Sequence, residues 1–310
     1  MPLPDRANLP DPADLYELDS DRPDLTGAVL VQALDGFVDA GSTVKLAREH
    51  LLKTEDSRVL VRFDSDVLHD YRARRPLMQF DQDHWTSFDA PELAIHLLHD
   101  VDGIPYLLLA GPEPDVAWER FSAAVQQVVE RLGVRLTIGL NAFPMSLPHT
   151  RPTRVIVHGS RKALLEGYEP WLGKIAVPGS AGHLLEFRLG EAGHDALGLA
   201  APVPPYLAQS EFPTSAAAIL HEVASRAGLR LPLADLDEAA ARNREAIDRE
   251  VAQSDEVTTL VSALEEQYDA YTRGSGRSLL AESESDLPSA DELGAELERF
   301  LADRSRGEDH

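Results

Sequence analysis

Cysteine is absent from the 310 residues. That excludes disulfides, thiolate nucleophiles and cysteine-ligated metals at once. Aromatic residues are sparse, 6% of the chain against a hydrophobic share of 43%, so the core must rest on Leu, Val, Ala and Ile. At about 25 cal/mol per Å² buried, such a chain still has an ample core. Basic residues are few: 29 Lys and Arg stand against 53 Asp and Glu, a formal net charge of −24. A field of that sign repels phosphate backbones and anionic lipid, so nucleic acid and membrane surfaces are poor partners. No apolar stretch approaches the roughly 20 residues that a membrane span needs. The first residues, Met1-Pro2-Leu3-Pro4-Asp5-Arg6, lack the apolar region of a signal peptide, and a cytoplasmic protein is expected. A Gly-x-x-x-x-Gly-Lys-Ser/Thr motif is missing too, which disfavours a nucleotide triphosphatase.

What is present concentrates in two loops. Asp35-Gly36-Phe37-Val38-Asp39-Ala40-Gly41 follows the apolar run Ala28–Leu34. Asn141-Ala142-Phe143-Pro144-Met145-Ser146-Leu147-Pro148-His149-Thr150-Arg151-Pro152 follows Leu136–Leu140. Both runs read as buried strands, and the carboxyl ends of strands in an α/β sheet are where ligands and partners bind.

Around these loops the chain divides into four parts. Residues 1–26, rich in Asp and Pro, form an arm that Leu15, Tyr16 and Leu18 can dock. Residues 27–230 alternate strands and helices, which predicts an α/β core with a mixed sheet. Strands are expected at 27–34, 58–63, within 77–88, at 93–99, 104–109, 134–140, 154–158 and 197–203. Helices are expected from Ser42, over 115–132 with Gly133 closing the end, over 181–189 and over 213–227. Ser42 or Thr43 is the expected cap of the first helix. Residues 231–272 carry helical periodicity and form an appended helical subdomain. Residues 273–310 have the composition of an acidic linker, with a short amphipathic segment at Leu293, Leu297, Phe300 and Leu301.

Each candidate residue has a chemical and a structural reading. Asp35 and Asp39 can accept from a ribose hydroxyl, activate a water or hold a cation; they can equally cap the turn and the following helix. His149 is a candidate general acid or base, the role histidine most often takes. Its loop neighbours Asn141, Thr150 and Arg151 are candidate ligand-binding residues, with Phe37 as an aromatic face. Three prolines stiffen that loop, which suits a preorganised site or a rigid contact. His183 and Glu186 share one helix face, and His158 ends a nearby strand. This set falls short of an assigned metal site, and no metal or cofactor is expected. Ser180 lacks the glycine two residues before it that a nucleophile elbow requires, so it reads as a helix cap. Arg72, Arg74 and Arg75, the one dense basic cluster, read as an interface to an acidic partner or a neighbouring subunit.

The motifs carry a family resemblance. They are Asp39-Ala40-Gly41, then Arg74-Arg75-Pro76-Leu77, then Asn141-x-x-Pro144-Met145-x-x-Pro148-His149-Thr150-Arg151-Pro152. Val177-Pro178-Gly179-Ser180 and Leu264-Glu265-Glu266-Gln267-Tyr268-Asp269 match its actinobacterial branch. Over about residues 27–271 the chain resembles the PAC2 family, named for a proteasome assembly chaperone. The family loop commonly has Trp where Phe37 stands; Phe keeps the aromatic face without the N–H. The resemblance implies a three-layer α/β/α fold with a mixed sheet, like that of purine nucleoside phosphorylases and related hydrolases. It also implies homo-oligomers, with a trimer as the expected form, and proteasome subunits as the first protein partners to test.

Two functions are therefore expected. One is a homo-oligomeric protein-binding module of the proteasome-assembly-chaperone kind; no catalytic triad is recognisable. The alternative is a phosphorylase/hydrolase-like enzyme for a small nucleoside-like or amide substrate, with Asp35, Asp39, Asn141 and His149 converging on one strand-end cleft. An ATP-dependent ligase is disfavoured, because neither loop holds a lysine to grip phosphate.

Overall fold

The computed structural model describes residues 10–53, 57–168 and 173–272. The expected acidic tail and its amphipathic segment lie outside the described residues. The first strand, β1 (Tyr16–Leu18), comes from the N-terminal arm. It is followed by β2 (Val29–Asp35), helix α1 (Thr43–Leu52), β3 (Arg58–Phe63), the short α2 (Ser65–Leu68), β4 (Met78–Asp81) and β5 (His84–Phe88). Then come β6 (Ala94–His99), β7 (Pro105–Pro112), α3 (Trp118–Leu132), β8 (Leu136–Pro144), β9 (Ile156–Gly159), α4 (Ala181–Glu191) and β10 (Ala196–Val203). Three helices finish the described chain: α5 (Pro213–Ala227), α6 (Ala234–Val251) and α7 (Asp255–Thr272).

Eight strands form one sheet in the order β1-β3-β6-β7-β2-β8-β10-β9. The centre, β7-β2-β8-β10, is parallel, and both flanks are antiparallel. Side chains alternate across a strand, so the central strands feed two cores. Val29, Val31 and Ala33 of β2 pack with α1, α5 and α6 on one face. Leu30 and Leu34 pack with α3 and α4 on the other. The result is a three-layer α/β/α fold with a mixed sheet and added C-terminal helices.

The arm is part of the sheet edge. Tyr16 to Leu18 pair with Phe63 to Val61, and Leu15 is wholly buried. Gly133 closes α3 in the left-handed region at φ 66°, where a residue without Cβ is least strained. The capping of α1 differs from expectation. Neither Ser42 nor Thr43 caps it. Asp39 accepts from the backbone N–H groups of Val44 (2.8 Å) and Lys45 (3.0 Å). The Thr43 hydroxyl turns inward instead, donating to the Ala40 carbonyl. Strand β8 also outruns its expected end at residue 140. Asn141 to Pro144 continue the parallel pairing with Ala200 to Val203 of β10.

Strands β4 and β5 form a separate hairpin outside the main sheet. Every residue of both is exposed.

Candidate functional site

Cross-strand register builds the site. Gln32 of β2 stands opposite Gly139 of β8, Gly139 opposite Gly198 of β10, and Gly198 opposite His158 of β9. These four residues form one row across four strands. By alternation from Leu30 and Leu34, Gln32 faces the α4 side of the sheet. The two central glycines leave a trough between the polar ends of the row. A Cβ on Gly198 would stand 1.9 Å from His158 Cε1 and 2.6 Å from Glu186 Oε2; one on Gly139 would meet Gln32 Oε1 at 2.8 Å. From above, Gly182 of α4 comes as close, its would-be Cβ 2.9 Å from the Gln32 amide.

The resulting cleft has a volume of about 390 Å³, within the range of roughly 300–1,000 Å³ of small-molecule sites. Leu34, Val38, Ile156 and Leu199 supply apolar wall, and Phe37, Ile175 and Val177 form an exposed apolar rim. Helix α4 is fixed above the sheet from both ends. Its first turn is capped by the Ser180 hydroxyl oxygen, which accepts from His183 N, and by Glu113, which accepts from Ala181 N at 2.6 Å. Further along, the buried Arg188 guanidinium ties α4 to Glu119 of α3.

Two polar pairs line the cleft. His158 Nδ1 donates to Glu186 Oε1 at 2.9 Å. That carboxylate raises the His158 pKa above the ordinary histidine value, against the opposing effect of burial. Asn141 Oδ1 accepts from Ala142 N (2.7 Å), which leaves its Nδ2 to donate to His183 Nε2 (2.8 Å). Burial lowers the His183 pKa. The neutral ring therefore carries its proton on Nδ1, a buried atom with no hydrogen-bond partner. Gln32 is 6% exposed, and its amide has no hydrogen-bond partner among the described residues. Among the described residues no group of three His, Asp or Glu is placed to hold a metal ion.

The residues expected from sequence are distributed differently. The two loops do meet, through a parallel bridge between Asp39 and Ala142. Of the candidate residues on them, only Asn141 and Phe37 line the cleft. Asp35 is ion-paired with Arg48. Asp39 is spent on capping α1, and burial raises its pKa despite those two N–H donors. His149 lies under the C-terminal helices. Its backbone N–H donates to Tyr206 Oη (2.9 Å), so the Tyr206 hydroxyl donates to His149 Nδ1 (2.6 Å) and Nε2–H donates to Asp248 (3.0 Å). Thr150 donates to Glu265. Arg151 forks onto Asp269 at 2.8 and 2.7 Å and reaches Glu265 at 3.0 Å. The expected convergence of Asp35, Asp39, Asn141 and His149 on one cleft is thus not what the fold builds, because all but Asn141 are satisfied elsewhere. In the basic cluster, Arg74 pairs with Asp115 (2.9 Å) within the chain, Arg72 lies 3.6 Å from Asp70, and Arg75 is exposed.

Sequence reasoning missed Gln32, Gly139, Gly198 and Glu113. One signal was available: Gln32 is the only polar residue in the run Val29–Leu34, and an amide in a buried strand demands a partner.

Comparisons with known proteins agree with this architecture. A Mycobacterium tuberculosis protein of unknown function, Rv2714, shares 48% identity with a TM-score of 0.79, over 84% of this chain and 92% of that one. A Corynebacterium glutamicum protein of unknown function shares 37% identity with a TM-score of 0.79, over 85% and 99%. A proteasome-assembly chaperone homologue of M. tuberculosis, Rv2125, shares 25% identity with a TM-score of 0.69, over 75% and 99%. A search of the curated proteins finds no match. The PAC2 family model matches residues 33–251, most of the chain; this protein belongs to the PAC2 family.

Proposed function

We propose that the chain is a homo-oligomeric protein-binding module that acts on proteasome subunits in the manner of an assembly chaperone. The observation that carries this reading is the β4–β5 hairpin. It presents Leu77 (76% exposed), Trp85 (61%), Met78, Phe80 and Phe88 to solvent, with Phe80 and Trp85 packed edge to face at 5.1 Å. A free two-stranded hairpin is marginal in water, and clustered exposed aromatics mark contact surfaces. A second copy of the chain is the occupant that suits it, and the exposed Arg75 at its base supplies a cation for an acidic neighbour. The proteasome partner is supported by the likeness to Rv2125, a proteasome-assembly chaperone homologue. The test joins light scattering with assembly. The wild type runs as a closed oligomer, a trimer by expectation, and Phe80→Ser with Trp85→Ser runs as a monomer. The oligomer also captures proteasome α-subunits from its own source or alters their assembly. A wild-type monomer, or no effect on those subunits, defeats the respective half of the proposal.

A second reading has its own observation, the His158–Glu186 pair at the cleft. A carboxylate that orients a histidine beside an apolar pocket suits general acid–base chemistry. Under this reading the cleft takes a small nucleoside-like or amide substrate, and His158 is the proton acceptor. Turnover by the wild type that is abolished in His158→Ala supports it, and equal turnover removes it.

A further inference from the structure

Gln32 is unusual within this fold. The residue is 6% exposed and lines the cleft, and its amide meets no donor or acceptor of the described chain. Glycine at 139 and at 182 keeps the space that the amide fills; any larger residue would displace it. The amide is thus held in place for something outside the chain.

We propose that the cleft binds an uncharged ring compound with a cyclic amide edge, a lactam or nucleobase with adjacent N–H and C=O, and that Gln32 recognises that edge. The inference rests on the second reading above, that the cleft takes a small molecule. Four observations select this class. A carboxamide presents one acceptor and one donor side by side, the complement of a cis-amide edge; glutamine reads adenine by the same bidentate pairing. Among the described residues no Lys or Arg lines the cleft, whereas Glu113 and Glu186 do. A phosphate or carboxylate ligand would meet these carboxylates with no Lys or Arg of the described residues to balance it. The walls are aliphatic and the rim carries Phe37, which suits a flat, weakly polar body. The volume accommodates one small molecule rather than a polymer. His158 closes the far end of the row and offers Nε2 to a polar group on the opposite side of such a ring.

The test is isothermal titration of the full chain with uracil, hypoxanthine and δ-valerolactam, beside 1,3-dimethyluracil and uridine 5′-monophosphate. At least one of the first three binds, while blocking the edge by methylation or adding phosphate weakens binding about tenfold or more, as the loss of a bidentate pair implies. Gln32→Leu weakens binding to the same degree and unfolds at a temperature no lower than the wild type. Equal binding of 1,3-dimethyluracil, undiminished binding by Gln32→Leu, or no binding of the three edge-bearing probes overturns the proposal. An NMR screen of amine, carboxylate and aromatic fragments separates this failure from that of the reading beneath it. Gly198→Val fills the trough, and Gly182→Ala, a milder change, pushes on the Gln32 amide. Fragments without an amide edge that bind the wild type and are lost in either variant overturn the ligand class and keep the cleft as a site. If no fragment is sensitive to either variant, both fall.

Discussion

The Pro-rich loop and the glycine-floored trough use polar residues in opposite ways. In the loop, His149, Thr150 and Arg151 each reach a partner on α6 or α7, and Tyr268 returns a hydrogen bond to the Pro152 carbonyl at 3.3 Å. These three loop side chains help fasten the C-terminal helices. In the trough, Gln32 and the Nδ1 of His183 have no partner among the described residues, and Gly139 and Gly182 keep the space around the Gln32 amide. The dense motif is an anchor, and the sparse row is the better binding surface. A polar group that is satisfied internally contributes stability; one left open is available to a ligand.

The contrast can be broken in order of effect. His149→Ala is expected to cost about 2–4 kcal/mol, because it opens a buried cavity and strips Tyr206 and Asp248 of their shared partner. The His149 side chain is 1% exposed, and urea unfolding followed by circular dichroism measures the loss. Gly198→Val comes next, at about 1–3 kcal/mol for an overpacked site. It also separates His158 from Glu186, which the His158 NMR titration reports.

Smaller still is the pH response of the two cleft histidines. The folded His158 pKa is raised. Its pairing therefore contributes stability that is full below the unfolded value of about 6.5 and is lost as pH rises through the folded value. His183 is lowered, so its contribution has the opposite sign: it is full above about 6.5 and falls away as pH drops below that value. Glu186→Gln brings the His158 midpoint down and leaves His183 titrating below the usual range. Because the His158 side chain is half exposed, the stability change is small, and the NMR midpoints are the sharper readout. The hairpin pair Phe80→Ser and Trp85→Ser is expected to alter the protomer's own folding by no more than about 0.5 kcal/mol, as exposed substitutions do. Its effect belongs to self-association.

Much of this architecture is legible from residue pattern alone. The apolar runs at Val29–Leu34 and Leu136–Leu140, the left-handed Gly133 stop and the periodicity of the last three helices name the elements within a few residues. Partner choice is not legible in the same way. A loop polar group looks the same in sequence whether it aims at a ligand or at a helix a hundred residues on. His149 and Asp248 illustrate this, since only the fold sets them 3.0 Å apart. Asp39 could be read as an acid or as a cap, and the chain turns it onto Val44 and Lys45. The trough was the least visible feature. Gly139 and Gly198 are ordinary strand glycines until the β2-β8-β10-β9 register aligns them between Gln32 and His158. His158, His183 and Glu186 were visible as a chemical cluster, but the fold separates them into a His–carboxylate pair and a His–amide pair.

The most direct test of this division is the unfolding free energy of Gln32→Leu. If the amide is held for a ligand, replacing it with an apolar side chain of similar size leaves stability unchanged or raises it. A loss greater than about 1 kcal/mol, the worth of a typical internal hydrogen bond, would show that Gln32 is a structural group like His149 and would contradict the account.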